Sequence, residues 1–361
     1  MVGNLLIFFI FCFTFFPSSG MIENSLQGKE KTRMIKRNFR RFGLRLFLVS
    51  LLSWPVLALA QERAGSGGGQ GRQAAPTFLQ FLMRPKFLTM LIIAALVLIL
   101  LLSRKMNDRL KVLILLVSTF LYGVSANLGI KFFSGFAMHP SPVCTVTKSV
   151  LYGFGRPMMV FLAVILFLTL IGPKLFCGWV CPVGAIQELI SMLAEKLKIK
   201  RHKLNFRLTQ TVRILIFIAF IFLSWTAVIH TVSNGRVVPL SLYDYINAFH
   251  GYEWSWAATL IDNLINFLPL ILTIIFAFFT YRPFCYLICP VGLMTNLVEQ
   301  IALFRVIKKK DDCTDCQACV IKSPCPAVAE IVKDSVLRPD CFSCTRCTSS
   351  CSRGLLRFGL K

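Results

Sequence analysis

Acidic residues and histidine are scarce in this chain. Its 361 residues include only 16 aspartates and glutamates against 40 lysines and arginines, and only four histidines. The sequence also contains no glycine-rich phosphate loop, no Rossmann fingerprint and no pairing of a nucleophile with a base. These absences argue against an active site for substrate chemistry within the chain.

The formal charge of +24 accompanies a hydrophobic content of 56%. The basic residues cluster beside apolar segments, which is typical of a polytopic membrane protein and not of a nucleic-acid-binding protein. A membrane helix needs about 20 apolar residues. Five apolar segments meet or approach this length and predict five spans, at about residues 87–103, 110–130, 157–172, 212–230 and 256–280.

The N-terminal region has the pattern of a secretory signal. A basic stretch that begins at Met34 is followed by a short apolar stretch and then by Ala58-Leu59-Ala60. This order is typical of a cleavable signal peptide. We therefore expect residues 34–60 to be a signal peptide, residues 1–33 an upstream extension and residues 61–86 an outer linker.

Charge asymmetry between the loops predicts the orientation. If the signal peptide delivers Gln61 to the outside, the segments 104–111 and 173–211 lie inside, and both are rich in lysine and arginine. The predicted outer loop 231–255 contains one basic residue, Arg236. This distribution follows the positive-inside rule. It predicts a multi-pass protein of the bacterial inner membrane with a cytoplasmic C-terminal domain.

That C-terminal domain, residues 309–361, contains eight of the fourteen cysteines. They form two similar runs, CTDCQACVIKSPCP and CFSCTRCTSSCS. A C-x2-C-x2-C run with a more distant fourth cysteine is typical of a cubane [4Fe-4S] site, and in two-cluster ferredoxins the fourth cysteine binds the other cluster. The predicted ligand sets are Cys313, Cys316, Cys319 and Cys351 for one cluster, and Cys341, Cys344, Cys347 and Cys325 for the other.

Two other interpretations of these cysteines are weaker. Structural zinc usually takes two cysteine pairs from separated loops, whereas each run here places three cysteines at the same short spacing. Disulfides do not fit a domain that is predicted to lie in the reducing cytosol. The pattern therefore favours an α+β domain of the two-cluster bacterial ferredoxin type.

A repeated motif lies within the predicted membrane domain, residues 87–308. The segments Lys174–Gly184 and Arg282–Gly292 share a cation, Phe, C-x3-C, Pro, Val and Gly in the same order, 108 residues apart. A proline disfavours helical geometry at the residue before it and suits the first turn of a helix. The motif therefore predicts a re-entrant joint at the inner membrane face in each repeat, within residues 174–192 and 282–300.

The two joints together offer four thiols, the ligand number of a metal or iron–sulfur site. Two alternatives stay open: buried free cysteines can pack as small hydrophobic residues, and the joints can serve only to dock the ferredoxin domain. The candidate ligands are Cys177, Cys181, Cys285 and Cys289.

Polar residues near the predicted outer face form a candidate quinol site. His139, His230 and His250 all fall there, and Asp262 lies just inside the fifth predicted span. An acid within a span is a functional candidate, and quinol oxidation needs a base near the headgroup level. Ligation of haem or copper, or a role as ordinary loop residues, are the alternatives. His202 falls in the basic inner segment and is expected to be solvated.

Duplicated C-x3-C-P joints followed by a two-cluster ferredoxin resemble the NapH/NosR-type membrane-bound polyferredoxin family, over about residues 87–355. The resemblance implies ligand roles for Cys177, Cys181 and the ten cysteines from Cys285 to Cys351. It also implies electron transfer between quinone or a cytoplasmic donor and a respiratory or periplasmic redox partner. The chain differs from the family in its signal peptide, in an extra early pair of spans and in lacking a large periplasmic flavin domain.

The expected protein is therefore an electron-transfer subunit and not a stand-alone enzyme. Its expected cofactors are two [4Fe-4S] clusters, a further cluster or metal at the joints, and quinol. Its expected partners are membrane lipid, quinone and a redox protein, without nucleic acid. A reductive maturation factor for a metalloenzyme centre and a redox-sensing membrane regulator are the alternative functions.

Overall fold

The computed structural model divides the chain into two compact units, Met1–Ala75 and Pro76–Lys361. The predicted signal peptide and upstream extension lie outside the described residues, as does most of the linker. The residues that the structure describes are 80, 82–125, 133, 135–136, 142–143, 145–146, 156–226, 228–233, 236–241, 260–308, 313, 316–333, 340–351 and 353–360.

The described part of the chain is mainly helical. Its helices are α1 Pro85–Leu102, α2 Asp108–Thr119, α3 Arg156–Ile171, α4 Pro182–Lys196, α5 Phe206–Thr226, α6 Leu260–Phe279, α7 Pro283–Leu287, α8 Pro290–Glu299, α9 Ala318–Lys322, α10 Val328–Val332 and α11 Arg346–Ser350. Its strands are β1 Val228–Ser233, β2 Arg236–Ser241, β3 Phe304–Lys308 and β4 Leu356–Leu360. Two π-helical turns, Phe120–Val124 and Phe176–Val180, follow α2 and precede α4.

Each of the five predicted spans overlaps one long helix: α1, α2, α3, α5 or α6. Helix α1 buries a stripe that includes Met90, Ala94 and Val97, whereas Ile92 and Ile99 on its other side are 66% and 63% exposed. Exposed apolar side chains also occur along the other four helices. A continuous apolar exterior of this kind is rare on water-facing proteins.

Among the described residues, α1 alone is long and apolar enough to cross a membrane by length and composition. Shorter apolar stretches lie in three further helices, at Met158–Ile171, Leu208–Ala219 and Leu270–Phe279. The number of membrane crossings is therefore not fixed by helix length alone.

The structure corrects the end of the fourth predicted span. Helix α5 ends at Thr226, and residues 228–230, which the span included, belong to β1. Strands β1 and β2 are antiparallel, and Ser233 pairs with Arg236 across a two-residue connection. That connection is Asn-Gly, the pair that most favours a tight hairpin, and β1 is rich in β-branched residues. These local signals outweigh the apolar character on which the span prediction relied.

The C-terminal module has the mixed α+β character that the sequence predicts. Strand β3 pairs with β4 in antiparallel register, from Phe304 opposite Leu360 to Lys308 opposite Leu356. The short helices α9, α10 and α11 lie between these strands in the chain. Because β3 begins at residue 304, the module includes five residues before the predicted boundary at 309.

The helices that follow the two joints hold the joints in place. Helix α4 packs against α2 and α6, and α8 packs against α3. Residues Ala185, Gln187, Glu188 and Ser191 of α4 are buried. The second of the two compact units contains both the apolar helices and the C-terminal module, so the joints and the module belong to one folded body.

Candidate iron–sulfur centres

The two joints have closely similar backbone conformations. Each begins with a buried cation in the left-handed region, Lys174 with φ 43° and Arg282 with φ 48°. A short helical turn carrying the first cysteine follows, and then the second cysteine, Cys181 or Cys289, is extended, with ψ near 120°. The next helix begins at the proline, as its fixed φ and missing N–H favour. The sequence repeat is thus also a structural repeat.

All four joint thiols line one cavity of about 40 Å³. The rest of its lining is almost entirely apolar and includes Phe342 of the C-terminal module. Cys177 and Cys285 are buried, and Cys181 and Cys289 are partly buried. A cavity of this size has room for about three water-sized spheres. The fold therefore brings together the four thiols that the sequence places in two distant segments.

Burial and mutual proximity make these thiols hard to ionise on their own. Burial, together with the neighbouring Cys285, raises the pKa of Cys181 to about 12, and the same two causes raise the pKa of Cys289 to about 12. The backbone amides of Gly184 and Val183 lower the pKa of Cys181 and so oppose part of this rise. The Cys181 side chain nevertheless makes no capping hydrogen bond to the helix. Thiol protons held this way are released when a metal centre supplies positive charge.

The glycine that ends each motif allows the backbone to approach the carbonyl group of the first cysteine of the same motif. A Cβ at Gly184 would lie well inside van der Waals contact of the Cys177 carbonyl oxygen, and one at Gly292 would lie 2.9 Å from the Cys285 carbonyl oxygen. Gln187, one turn further along α4, crosses to the second joint, where its Nε2 donates to the Cys285 sulfur at 3.3 Å. These contacts fix the cysteines of the two joints relative to each other.

The first predicted ligand set of the C-terminal module also converges. Cys313, Cys316, Cys319 and Cys351 line one small cavity, beside the basic residues Lys308 and Arg353. Burial disfavours the Cys351 thiolate, but the backbone amides of residues 353 to 356 outweigh that effect and lower its pKa. Cys316 is exposed. This site therefore lies at the solvent-facing side of the module.

The second predicted set lies deeper. Cys325, Cys344 and Cys347 are buried, and Cys341 is partly buried. Burial raises the pKa of Cys347 well above its usual value, and the neighbouring Cys344 and Cys325 add to the rise. Burial acts in the same way on Cys341, with Cys347 and Cys344 among its close neighbours. The distant Cys325 thus lies near Cys344 and Cys347 of the second run, and the exchange of fourth ligands stays a prediction.

All three cysteine groups offer only thiols as ligands. Among the described residues, no group of three or more histidine, cysteine or acidic side chains could hold one metal ion. A cubane is wider than an ion, so its four cysteine sulfurs must stand apart around a cavity. Two of the three cysteine groups enclose such a cavity. The donor set is all thiol, which suits iron–sulfur clusters.

A buried charge network lies between the joints and the second cysteine set. Glu188 of α4 contacts three cations: Lys111 Nζ at 2.6 Å, Arg346 Nε at 2.9 Å and Arg282 at 3.1 Å. Burial opposes ionisation of Glu188, but the attraction of Lys111, Arg282 and Arg346 outweighs it and holds its pKa well below the usual range. The Tyr281 hydroxyl donates to Glu188 at 2.7 Å and lies 3.2 Å from the Cys344 sulfur.

A second buried acid, Asp340, pairs with Lys174 and Arg213. Burial raises the pKa of a third buried acid, Glu299, well above its usual value. Among the described residues, the buried basic side chains outnumber the buried acidic ones Glu188, Glu299 and Asp340, and the basic ones are Lys111, Lys174, Arg213 and Arg282. Buried charge without a partner is costly. An excess of buried basic side chains fits an anionic group such as a thiolate-bound cluster.

The candidate quinol residues are only partly described. His230 lies in β1, opposite Pro239 of β2, and Asp262 lies in the first turn of α6. His139 and His250 lie outside the described residues. His202 is exposed, as expected, and its backbone N–H donates to Phe279 O. Whether the four residues converge on one site stays a prediction.

The residues that join the module to the joints do not stand out in the sequence patterns. Glu188, Asp340, Tyr281 and Tyr286 bond to partners 39 to 166 residues away. One feature of the sequence could have indicated Glu188 and Asp340. In a chain with only 16 acidic residues, an acid inside an amphipathic helix or directly before a cysteine run is an unusual choice.

The comparisons with known proteins agree with this geometry. A protein-family model for a 4Fe-4S binding domain matches the chain twice, at residues 154–200 and 263–310. Each match contains one joint, and both end before the eight C-terminal cysteines. The chain is 26% identical to the ferredoxin-type protein NapH of Haemophilus influenzae and 25% identical to the regulatory protein NosR of Stutzerimonas stutzeri. The chain is thus similar to ferredoxin-type proteins of the NapH and NosR kind.

The region of similarity covers a different share of each relative's length. The NapH match covers 55% of this chain and 66% of that protein, and the NosR match covers 49% of this chain but 23% of that protein. An uncharacterised protein of Methanocaldococcus jannaschii is 29% identical over 59% of this chain and 83% of its own length. No solved structure matches the chain. These similarities support iron–sulfur electron transfer as the general role of the chain.

Proposed function

We propose that this chain is a membrane-embedded electron-transfer protein that holds three iron–sulfur clusters. The observation that carries the proposal is the grouping of its cysteines. The twelve cysteines in the described part of the chain are all free, and they fall into three groups of four. Three groups of four thiols are what three cubane clusters require.

Two of the clusters belong to the C-terminal module. The solvent-facing cluster would be bound by Cys313, Cys316 and Cys319 of the first run and by Cys351. The buried cluster would be bound by Cys341, Cys344 and Cys347 of the second run and by Cys325. The two runs would thus exchange their fourth ligands. The third belongs to the joints and takes Cys177, Cys181, Cys285 and Cys289. Its support is the apolar cavity that these four thiols share, the excess of buried basic side chains and the two family-model matches that contain the joints.

The membrane location rests on the apolar exterior of the long helices. Side chains such as Ile99, Phe222 and Phe276 are 57% to 66% exposed, and a lipid environment is the medium in which that surface is stable. The basic segments beside the joints favour a cytoplasmic location for the joints and the module. The protein would be a multi-pass component of the bacterial inner membrane.

Electrons would pass between the quinone pool or a cytoplasmic donor and a redox partner protein at or beyond the outer face. A quinol site near His139, His230, His250 and Asp262 is the proposed point of exchange with quinone. The acid and the histidines would accept the protons that leave quinol when it is oxidised. The protein would then act as a subunit of a larger redox system.

Iron content tests the number of clusters. Protein purified in detergent without exposure to oxygen is expected to contain about twelve iron atoms and about twelve acid-labile sulfides per chain. The double substitution of Cys285 and Cys289 by serine is expected to remove about four of each, because those residues contribute only to the joint site. The measurement is colorimetric iron and sulfide determination against amino-acid analysis.

The remaining two of the fourteen cysteines, Cys12 and Cys144, serve as the control. Neither is part of a proposed ligand set, so replacing both by serine is expected to leave the iron content unchanged. A wild-type protein with about eight iron atoms per chain would show that the joints hold no cluster, and the four thiols would then be packing residues.

The exchange of fourth ligands is tested by two single substitutions. Cys351→Ser is expected to perturb the electron paramagnetic resonance signal of the solvent-facing cluster, because Cys351 lines that cavity. Cys325→Ser is expected to perturb the signal of the buried cluster, because Cys325 lies beside Cys344 and Cys347. The two clusters can be distinguished by accessibility to a soluble paramagnetic relaxing agent. The opposite assignment, in which each run binds its own fourth cysteine, would contradict the proposed ligand sets.

A further inference from the structure

The two cations that open the joints have an unusual backbone conformation. Lys174 and Arg282 occupy equivalent positions in the repeat, and both lie in the left-handed region. That region is unfavourable for a residue with a side chain, and such residues persist only where the surroundings hold them in place. Both side chains are also completely buried. A glycine would fit the backbone better, so the side chains themselves need an explanation.

Each of the two side chains crosses to the opposite joint. Lys174 Nζ donates to the carbonyl oxygen of Gly292 at 3.0 Å. Arg282 donates to the carbonyl oxygen of Cys177 at 3.2 Å and to that of Gly178 at 3.3 Å. The cation of each repeat thus binds the backbone of the other repeat, next to or at a cysteine motif.

The same two cations also contact the C-terminal module. Lys174 pairs with Asp340 of the module, whereas Arg282 pairs with Glu188 of α4 and reaches the module through Phe342. The ring of Phe342, which lines the joint cavity, has Arg282 at 4.6 Å and Lys174 at 5.2 Å from its centroid. Cation–π attraction favours this arrangement when the charges are desolvated. Phe342 directly follows Cys341, so the cations lie between two of the proposed cluster sites.

We propose that Lys174 and Arg282 form a reciprocal clamp, which fixes the two joints as one four-thiol site and supplies positive charge to the cluster bound there. This inference rests on the proposed function, because it presumes a cluster at the joints. The clamp residues are positioning residues: they touch the carbonyls around the thiols and not the sulfurs. Their permanent charge would also favour the more negative, reduced form of a nearby cluster.

Glycine substitutions test the clamp without straining the backbone. Lys174→Gly and Arg282→Gly remove the cation and leave a residue that is favourable at positive φ. Each variant is expected to lose the joint iron, from about twelve to about eight atoms per chain, while the module keeps its own iron. Lys174→Arg and Arg282→Lys restore the charge and are expected to recover most of the lost iron.

Removal of the charge with the side-chain bulk kept provides a readout that a purely structural role would not change. In redox titrations followed by electron paramagnetic resonance, Lys174→Met and Arg282→Gln are expected to lower the midpoint potential of the joint cluster, because the reduced form loses a nearby positive charge. Lys174→Arg and Arg282→Lys should keep the wild-type potential, and the potential of the solvent-facing cluster should stay the same in all four variants, because Lys174 and Arg282 do not line its cavity. If the glycine variants fail to accumulate, this titration decides: unchanged potentials in Lys174→Met and Arg282→Gln would overturn the clamp.

Arg201 provides the matched control. It is a partly buried cation close to the same joint helices, but it donates to the carbonyls of Ala277 and Phe278 at the end of α6 and does not line the thiol cavity. Arg201→Gln is expected to keep all of the iron. Wild type with about eight iron atoms would refute the third cluster itself, whereas full iron in both glycine variants would overturn only the clamp.

Discussion

Replacement of Glu188 by glutamine is expected to destabilise the folded protein by about 3–5 kcal/mol, the usual cost of removing one partner of a buried ion pair. The carboxylate is fully buried and contacts Lys111, Arg282 and Arg346. An amide keeps the shape but removes the charge, so three cations would remain close together without an anion. Because these cations come from α2, the second joint and the C-terminal module, the loss would weaken the attachment of all three.

The experiment is thermal unfolding in detergent, followed by static light scattering and by loss of the visible iron–sulfur absorbance. Glu195→Gln is the matched control, since Glu195 lies two turns along the same helix and also pairs with Arg346, but its side chain is 38% exposed. Exposed ion pairs contribute at most about 1 kcal/mol. Equal destabilisation by the two substitutions would mean that the Glu188 network is not a buried charge centre.

The pH dependence of stability should also show that the Glu188 carboxylate is ionised in the folded protein. The pKa of Glu188 is lowered by folding, so its stabilising contribution is complete above the ordinary glutamate value of 4.5 and is lost as pH falls toward the lower folded value. The stability difference between wild type and Glu188→Gln is therefore expected to be largest near neutral pH and to shrink below about pH 4.5. A difference that grows on acidification would contradict the assigned charge state.

Substitution of Gly178 by alanine is expected to displace the C-terminal module from the first joint. A Cβ at this position would overlap the backbone carbonyl oxygen of Phe342, and a backbone atom cannot move aside as a flexible side chain can. Overpacking a close-packed core costs about 1–3 kcal/mol, and we expect a value at the upper end of that range. The displaced loop contains Cys341 and Cys344, so the buried cluster site should also be disturbed.

Limited proteolysis with chymotrypsin measures this displacement directly, because Phe342, which is 1% exposed, becomes accessible when the module separates. Gly172→Ala is the control: its Cβ would meet the Phe358 ring at 3.5 Å, an ordinary contact. We expect faster cleavage and altered signals of the buried cluster for Gly178→Ala and wild-type behaviour for Gly172→Ala. If Gly178→Ala is cleaved at the wild-type rate, the module does not dock on the joint in the way described.

Several local features of the fold could be predicted from the sequence because they depend on neighbouring residues. The extended cysteine before Pro182 and the helix that starts at this proline follow from the geometry of proline. The five helices α1, α2, α3, α5 and α6 follow from the apolar segments of the sequence. The hairpin of β1 and β2 differs from the predicted span although the sequence contains its Asn-Gly turn signal, because the apolar residues of β1 resemble the end of the preceding span.

The partners of the buried charges could not be predicted in this way. Glu188 and Arg346 are 158 residues apart in the chain, and Lys174 and Asp340 are 166 apart. Which cation meets which acid depends on how α4, the joints and the module pack, and many pairings satisfy the same composition. The reciprocal contacts of Lys174 and Arg282 are of the same kind, since the repeat shows that both cations exist but not where they point.

The sequence by itself determined the two C-terminal cysteine runs, the repeated C-x3-C-P motif and the helical class, because ligand spacing, proline geometry and apolar length are properties of short segments. Only the tertiary structure decided that the four joint thiols share one cavity and that Phe342 and two buried cations connect it to the module. The physical reason is that contacts between distant segments form only when burial of apolar surface brings their elements together. Charge neutrality within that buried region then selects among the possible partners.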